Sequence, residues 1–135
     1  MVNVYCDGAC EPINPGGMAT WGFVVYMGEV YIHEGSGVYN DRGTNNEAEF
    51  SAVLNALLYL ADVGYRREGV KINTDSRLVV NVLRGDWMLR AENLLPIYRD
   101  IKDLERYFRS VSYSWIPRDE NFLADFISRV PYSGT

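Results

Sequence analysis

The sequence predicts an α/β domain, a mixed sheet flanked by helices. Three observations carry that reading. Three β-rich runs precede any helical pattern, a long helical segment opens with a capping box and closes at a glycine, and short apolar runs then alternate with helical spacing to the end of the chain. A meander followed by alternating α and β segments makes a sheet that is part antiparallel and part parallel.

Taken in order, Val2, Val4 and Cys6 alternate with Asn3, Tyr5 and Asp7, the period of a strand. Gly8 to Gly17, rich in Gly and Pro, is expected to be a loop. Trp21 to Tyr26 and Val30 to Glu34 are β-rich runs around Met27-Gly28-Glu29, a hairpin pattern. The polar link Asn40-Asp41-Arg42-Gly43 ends the β region. Thr44-Asn45-Asn46-Glu47 is a capping box, and the helix it opens runs to about Val63, where Gly64 stops it. Val70 to Thr74 is a strand and Ser76 to Leu83 a short helix ending near Gly85. Leu94, Ile97, Ile101, Leu104 and Phe108 have helical spacing, with Pro96 in the first turn. Val111 to Ile116 is a last strand stopped by Pro117, and Asn121 to Arg129 a last helix.

The 135 residues fit a single domain, 1–135, and 47% hydrophobic content excludes a disordered chain. No apolar run approaches the ~18–20 residues of a membrane span, and Met1 to Tyr5 lacks the basic start of a secretory signal. Cys6 and Cys10 would lie ~13 Å apart on one strand, too far to bridge. A turn after Gly8 could bring them closer, but reduced cysteines and a cytoplasmic location are the expectation. One histidine, His33, is too few for a zinc site of the usual four Cys/His ligands. The net charge of −5 argues against a non-specific nucleic-acid coat protein.

Four carboxylates fall where a purely structural chain does not need them. Asp7 and Asp75 follow strands, where open α/β sheets place their ligands. Glu49 lies on the helix stripe shared with Ala52, Val53, Ala56 and Leu60, which should face the sheet. Asp125 shares a helix face with Asn121. Each has a plainer explanation: an Asx-turn for Asp7, a favourable helix dipole for Glu49, a helix cap for Asp75, an ion pair with Arg129 for Asp125. These explain the residues singly but not jointly. If the two aspartates and the inward glutamate converge, their repulsion requires cations, and hard oxygen ligands select Mg²⁺ or Mn²⁺.

Asp7-Gly8 with Asn14-Pro15-Gly16-Gly17, then Thr44 to Glu49, then Thr74-Asp75-Ser76, then Asn121 to Asp125 resemble, in the same order, the motifs of type 1 ribonuclease H. The resemblance implies a five-stranded mixed sheet, three strands antiparallel and then two parallel, with helices on both faces. It implies endonucleolytic hydrolysis of the RNA strand of RNA/DNA hybrids, leaving 5′-phosphate and 3′-hydroxyl ends. Asp7, Glu49, Asp75 and Asp125 would hold two Mg²⁺ ions, with Mn²⁺ as a substitute. Gly8, Asn14, Asn45 and Asn46 would read ribose hydroxyls and base edges, and Arg42 and Thr44 would hold a DNA phosphate. A monomer is expected, and double-stranded RNA is a further candidate substrate.

Two departures stand out. The segment before the last helix, Trp115 to Asn121, lacks the histidine many members carry, and Arg118 is the candidate replacement. A guanidinium stays protonated, so its role would be electrostatic. The basic protrusion is also missing: Arg84 to Arg90 is short, Trp87 reads as a core-edge aromatic, and Lys71 and Lys102 are the only lysines. A resolvase or integrase of the same fold, an inactive hybrid-binding module and a protein–protein module are the competing readings. A complete carboxylate set argues against a pure binder, which gains nothing from four repelling acids.

Overall fold

The computed structural model describes residues 1–133. Strands β1 (Val2–Glu11), β2 (Met18–Met27) and β3 (Val30–Asn40) form the meander. They are followed by helix α1 (Asn45–Val63), strand β4 (Gly69–Thr74) and helices α2 (Arg77–Leu83) and α3 (Leu95–Glu105). Strand β5 (Ser110–Trp115) and helices α4 (Phe122–Ser128) and α5 (Val130–Ser133) complete the order. The five strands form one sheet ordered β3-β2-β1-β4-β5. Its first three strands are antiparallel, and β4 and β5 run parallel to β1.

Helix α1 begins and ends as its sequence dictates. Thr44 Oγ1 accepts from the Glu47 N–H at 3.1 Å, and Gly64, at φ 99°, donates its N–H to the Leu60 carbonyl. A left-handed residue at this position costs glycine nothing. Between these caps Phe50, Val53, Leu57 and Leu60 are fully buried against Val2, Val4, Cys6, Val70 and Ile72.

Two glycines on neighbouring strands set how near the helices come. A Cβ on Gly8 would sit 2.4 Å from the Ala48 carbonyl carbon of α1. A Cβ on Gly22 would sit 2.4 Å from the Ser128 nitrogen of α4. Gly22 pairs with Asp7, next to Gly8 on β1, and adjacent residues of a strand face opposite ways. Helices α1 and α4 therefore cover opposite faces of the sheet.

Some boundaries differ from the sequence reading. Gly8 to Glu11 continue β1 instead of starting the loop, because β2 begins at Met18 and pairs with them down to Glu11. Strand β3 runs on to Asn40, and its Gly35 and Gly37 lie under the rings of Phe23 and Trp21, where a Cβ would approach to 2.6 and 2.5 Å. Helix α3 is shorter than its spacing suggests, with a 3₁₀ turn at Glu92–Leu94 before it and an end at Glu105. Trp87 is half-exposed, not packed at the core edge. His33 is stacked on Tyr59 with ring centroids 4.0 Å apart. Cys6 and Cys10 are both free.

Candidate active site

Parallel pairing of β1 with β4 ends at Cys6 and Thr74, so Asp7 and Asp75 are the next residues along two adjacent strands. Asp75 does not cap the following helix. Ser76 does, accepting the Val79 N–H at 3.2 Å, and this leaves the Asp75 carboxylate for the cleft. Glu49 arrives from the other side: the absence of a side chain at Gly8 lets the first turn of α1 rest on β1. One carboxylate oxygen from each of Asp7, Glu49 and Asp75 lies within 4.8 Å of the others.

This cluster is desolvated. Asp7 and Glu49 are 5% and 6% exposed, and Glu49 Oε2 is buried without a hydrogen-bond partner. Burial, then the charge of Asp75, pushes the Asp7 carboxyl up to about 7, although the Gly8 N–H donates to its Oδ1 at 2.9 Å. Burial and the charges of Asp7 and Asp75 push Glu49 well above the carboxylate range. Burial raises Asp75 as well, and the guanidinium of Arg118 opposes that rise. Three acids that resist ionisation beside one another, one with an orphaned buried oxygen, suit a hard divalent cation.

Asp125 stands apart. Its charge raises Asp7 and Asp75, so it borders the cluster, but its Oδ1 is bound to Arg129 Nε at 3.1 Å. The plain i,i+4 ion pair and the position beside the cluster are thus both present. Asn121 anchors α4 at this point, donating from Nδ2 to the Cys6 carbonyl at 2.8 Å from a buried position. Arg118 Nε lies 4.0 Å from Asp75 Oδ2 on an 88% exposed side chain.

The candidate substrate residues gather at the start of α1. Asn14 Oδ1 accepts the Asn45 N–H at 2.9 Å, and the loop behind it is clasped to the link by Gly16 N–H to Gly43 O and Gly43 N–H to Gly17 O, each 2.8 Å. Asn14, Arg42 and Asn46 are exposed, and Thr44 and Asn45 are half-buried. Three neighbours were not singled out from sequence. Trp115 donates Nε1–H to the Asp75 carbonyl at 3.1 Å, and the Arg77 guanidinium sits 3.9 Å from its ring centroid. Glu11 Oε1 meets Arg129 Nη1 at 3.0 Å. The position of Trp115 at a strand end parallel to Thr74 is a signal for it in the sequence, whereas Glu11 has none, because only its pairing with Met18 places it on β1.

A five-stranded mixed sheet with carboxylates on β1 and just past β4, a third from the long helix, and asparagines at that helix's start, defines a ribonuclease H-like domain. The sequence model described as reverse transcriptase-like matches residues 6–130, and the chain belongs to that family. It is 33% identical over 127 residues to ribonuclease HI of Halobacterium salinarum, covering 94% of this chain and 62% of that protein. It is 34% identical over 84 residues to a bifunctional protein of Mycobacterium tuberculosis, covering 62% of this chain but only 22% of the relative. The crystal structure of the Halobacterium RNase H1 superposes with TM-score 0.88 at 30% identity, covering 99% of this chain and 98% of the other. LC11-RNase H1, from compost, solved in complex with RNA/DNA hybrid, superposes at 0.90 with 25% identity and full coverage of both chains. No helix among the described residues is long and apolar enough to cross a membrane.

Proposed function

We propose that this domain is a metal-dependent endoribonuclease that hydrolyses the RNA strand of RNA/DNA hybrids, leaving 5′-phosphate and 3′-hydroxyl ends. The observation that carries this reading is the desolvated cluster of Asp7, Glu49 and Asp75, with its orphaned Glu49 oxygen. These three would hold one Mg²⁺ or Mn²⁺, and a second ion would draw on Asp125 as well. Such ions supply Lewis acidity toward the phosphate and make water a stronger nucleophile at neutral pH. The support for a hybrid substrate is the likeness to LC11-RNase H1 and to the Halobacterium ribonuclease HI.

The chain's own residues bind and orient the substrate. Amides at Asn14, Asn45 and Asn46 offer both donor and acceptor to a ribose 2′-hydroxyl, the group that separates RNA from DNA. The exposed N-terminus of α1, with Thr44 and the Arg42 guanidinium, favours a phosphate of the partner strand. Gly8 keeps β1 and α1 close enough for the backbone to line the cleft. The Arg118 guanidinium places a positive group beside Asp75 where the phosphate would arrive.

Labelled RNA/DNA hybrid, double-stranded RNA and double-stranded DNA, each with Mg²⁺, Mn²⁺ or chelator, test this directly. Cutting of the RNA strand of the hybrid only in the presence of metal is expected, and Asp75→Asn should lower it by about 10²-fold or more. Cleavage that persists in chelator overturns the metal-dependent reading. The double-stranded RNA arm shows whether recognition extends to other A-like helices.

A further inference from the structure

Arg129 joins two carboxylates that come from different elements. Its Nε lies 3.1 Å from Asp125 Oδ1, one turn back on the same helix, and its Nη1 lies 3.0 Å from Glu11 Oε1 at the end of β1. The three side chains are about equally exposed, at 43, 42 and 46%, so the bridge is solvated and easily exchanged.

The backbones around this bridge have little freedom. Helix α4 lies against Gly22 without room for a Cβ, Asn121 ties its start to Cys6, and Ser128 Oγ donates to the Asp125 carbonyl at 2.7 Å. Glu11 is placed by the pairing of β1 with Met18. With both backbones held, the Asp125 carboxylate moves toward the cluster by turning its side chain, in competition with the contact of its Oδ1 to Arg129. The guanidinium is not stranded when this happens, because Glu11 still holds it.

We propose that Arg129, seated on Glu11, is a positioning residue that holds Asp125 outside the cluster of Asp7, Glu49 and Asp75 until a divalent ion draws it in. The inference rests on the metal-dependent reading above. Three carboxylates are ready for a first ion, and recruitment of the fourth competes with a guanidinium. Glu11 sets the strength of that competition by sharing Arg129. Removing Arg129 frees Asp125 for metal, and removing the charge of Glu11 leaves Arg129 to Asp125 alone.

The test is Mn²⁺ titration of the metal-free protein without substrate, by calorimetry and by the electron paramagnetic resonance signal of free Mn²⁺. Arg129→Gln should tighten binding about two- to fivefold, the range an exposed ion pair supports, and Glu11→Gln should weaken it by a similar factor. Arg129→Lys, which keeps the charge but not the forked contact, should fall between wild type and Arg129→Gln. In an Asp125→Asn background, Arg129→Gln should change nothing. Equal tightening in that background would show only the loss of a nearby positive charge, and it overturns the inference, as does unchanged affinity in Arg129→Gln or Glu11→Gln. A wild-type protein that binds no Mn²⁺ overturns the metal-dependent reading itself, and this inference with it. Melting temperatures without metal check that each variant is folded, and Glu11→Gln probes the same competition if Arg129→Gln is not.

Discussion

The buried cluster of Asp7, Glu49 and Asp75 and the exposed arm carrying Asp125 supply the same chemical group by opposite means. In the cluster, backbone proximity brings the acids together: β1 and β4 are hydrogen-bonded neighbours, and Gly8 lets α1 rest on β1. The carboxyls have nowhere to go, and desolvation raises all three. On the arm, Asp125 is half-exposed, and its ion pair with the surface guanidinium of Arg129 decides where it points. On the metal-dependent reading, a rigid, desolvated trio is ready for a cation before one arrives, whereas a solvated fourth acid can respond to it.

The sharpest way to break the rigid half is at Gly8. Gly8→Ala places a Cβ 2.4 Å from the α1 backbone, and neither strand nor helix can give way cheaply. We expect a loss of about 3 kcal/mol, at the upper end of overpacking costs, seen in denaturant melts, together with lost activity as Glu49 shifts. A destabilised but fully active variant would show that the close approach is not what positions Glu49.

A second test uses the proton that the cluster retains. In chelator, a folded-state pKa of about 7 for Asp7 against an ordinary 3.8 means that the native state binds the proton more tightly than the unfolded chain. The contribution of Asp7 to stability is therefore present below the ordinary value and lost as pH rises from about 4 to about 7. Melting temperatures without metal should fall across that window and recover on adding Mg²⁺ at pH 8. Asp7→Asn should flatten the fall, and an equally steep slope in that variant would remove Asp7 as its source.

The smallest effect is expected on the exposed side. Arg118→Ala removes a charge 4.0 Å from Asp75 on a side chain that is largely in water, so its loss should slow turnover while leaving Mn²⁺ affinity within about twofold. Unchanged turnover would take Arg118 out of the reaction.

Much of this was legible in the chain alone, for local reasons. The helix cap at Thr44, the stop at Gly64 and the β alternation at Val2, Val4 and Cys6 act within a few residues, and each appears in the structure where its pattern places it. The inward stripe of α1 likewise gave Glu49 its direction, because helical periodicity is itself a local property. The length of β1 was not legible, since Gly8 to Glu11 look like loop until β2 is known to pair with them. The plain sequence explanation of Asp75 as the cap of α2 does not hold, because Ser76 makes that hydrogen bond and so frees Asp75.

The sequence by itself determined the order of the elements and the ends of the long helix and singled out four candidate acids, because periodicity, capping chemistry and motif order are written along the chain. Tertiary structure alone decided which acids meet. The contact of Gly8 with Ala48 closes Glu49 onto Asp7 and Asp75, and the contact of Glu11 with Arg129 holds Asp125 aside. Both depend on segments far apart in the chain packing to within van der Waals or ion-pair distance, and local patterns of residues carry no record of that distance.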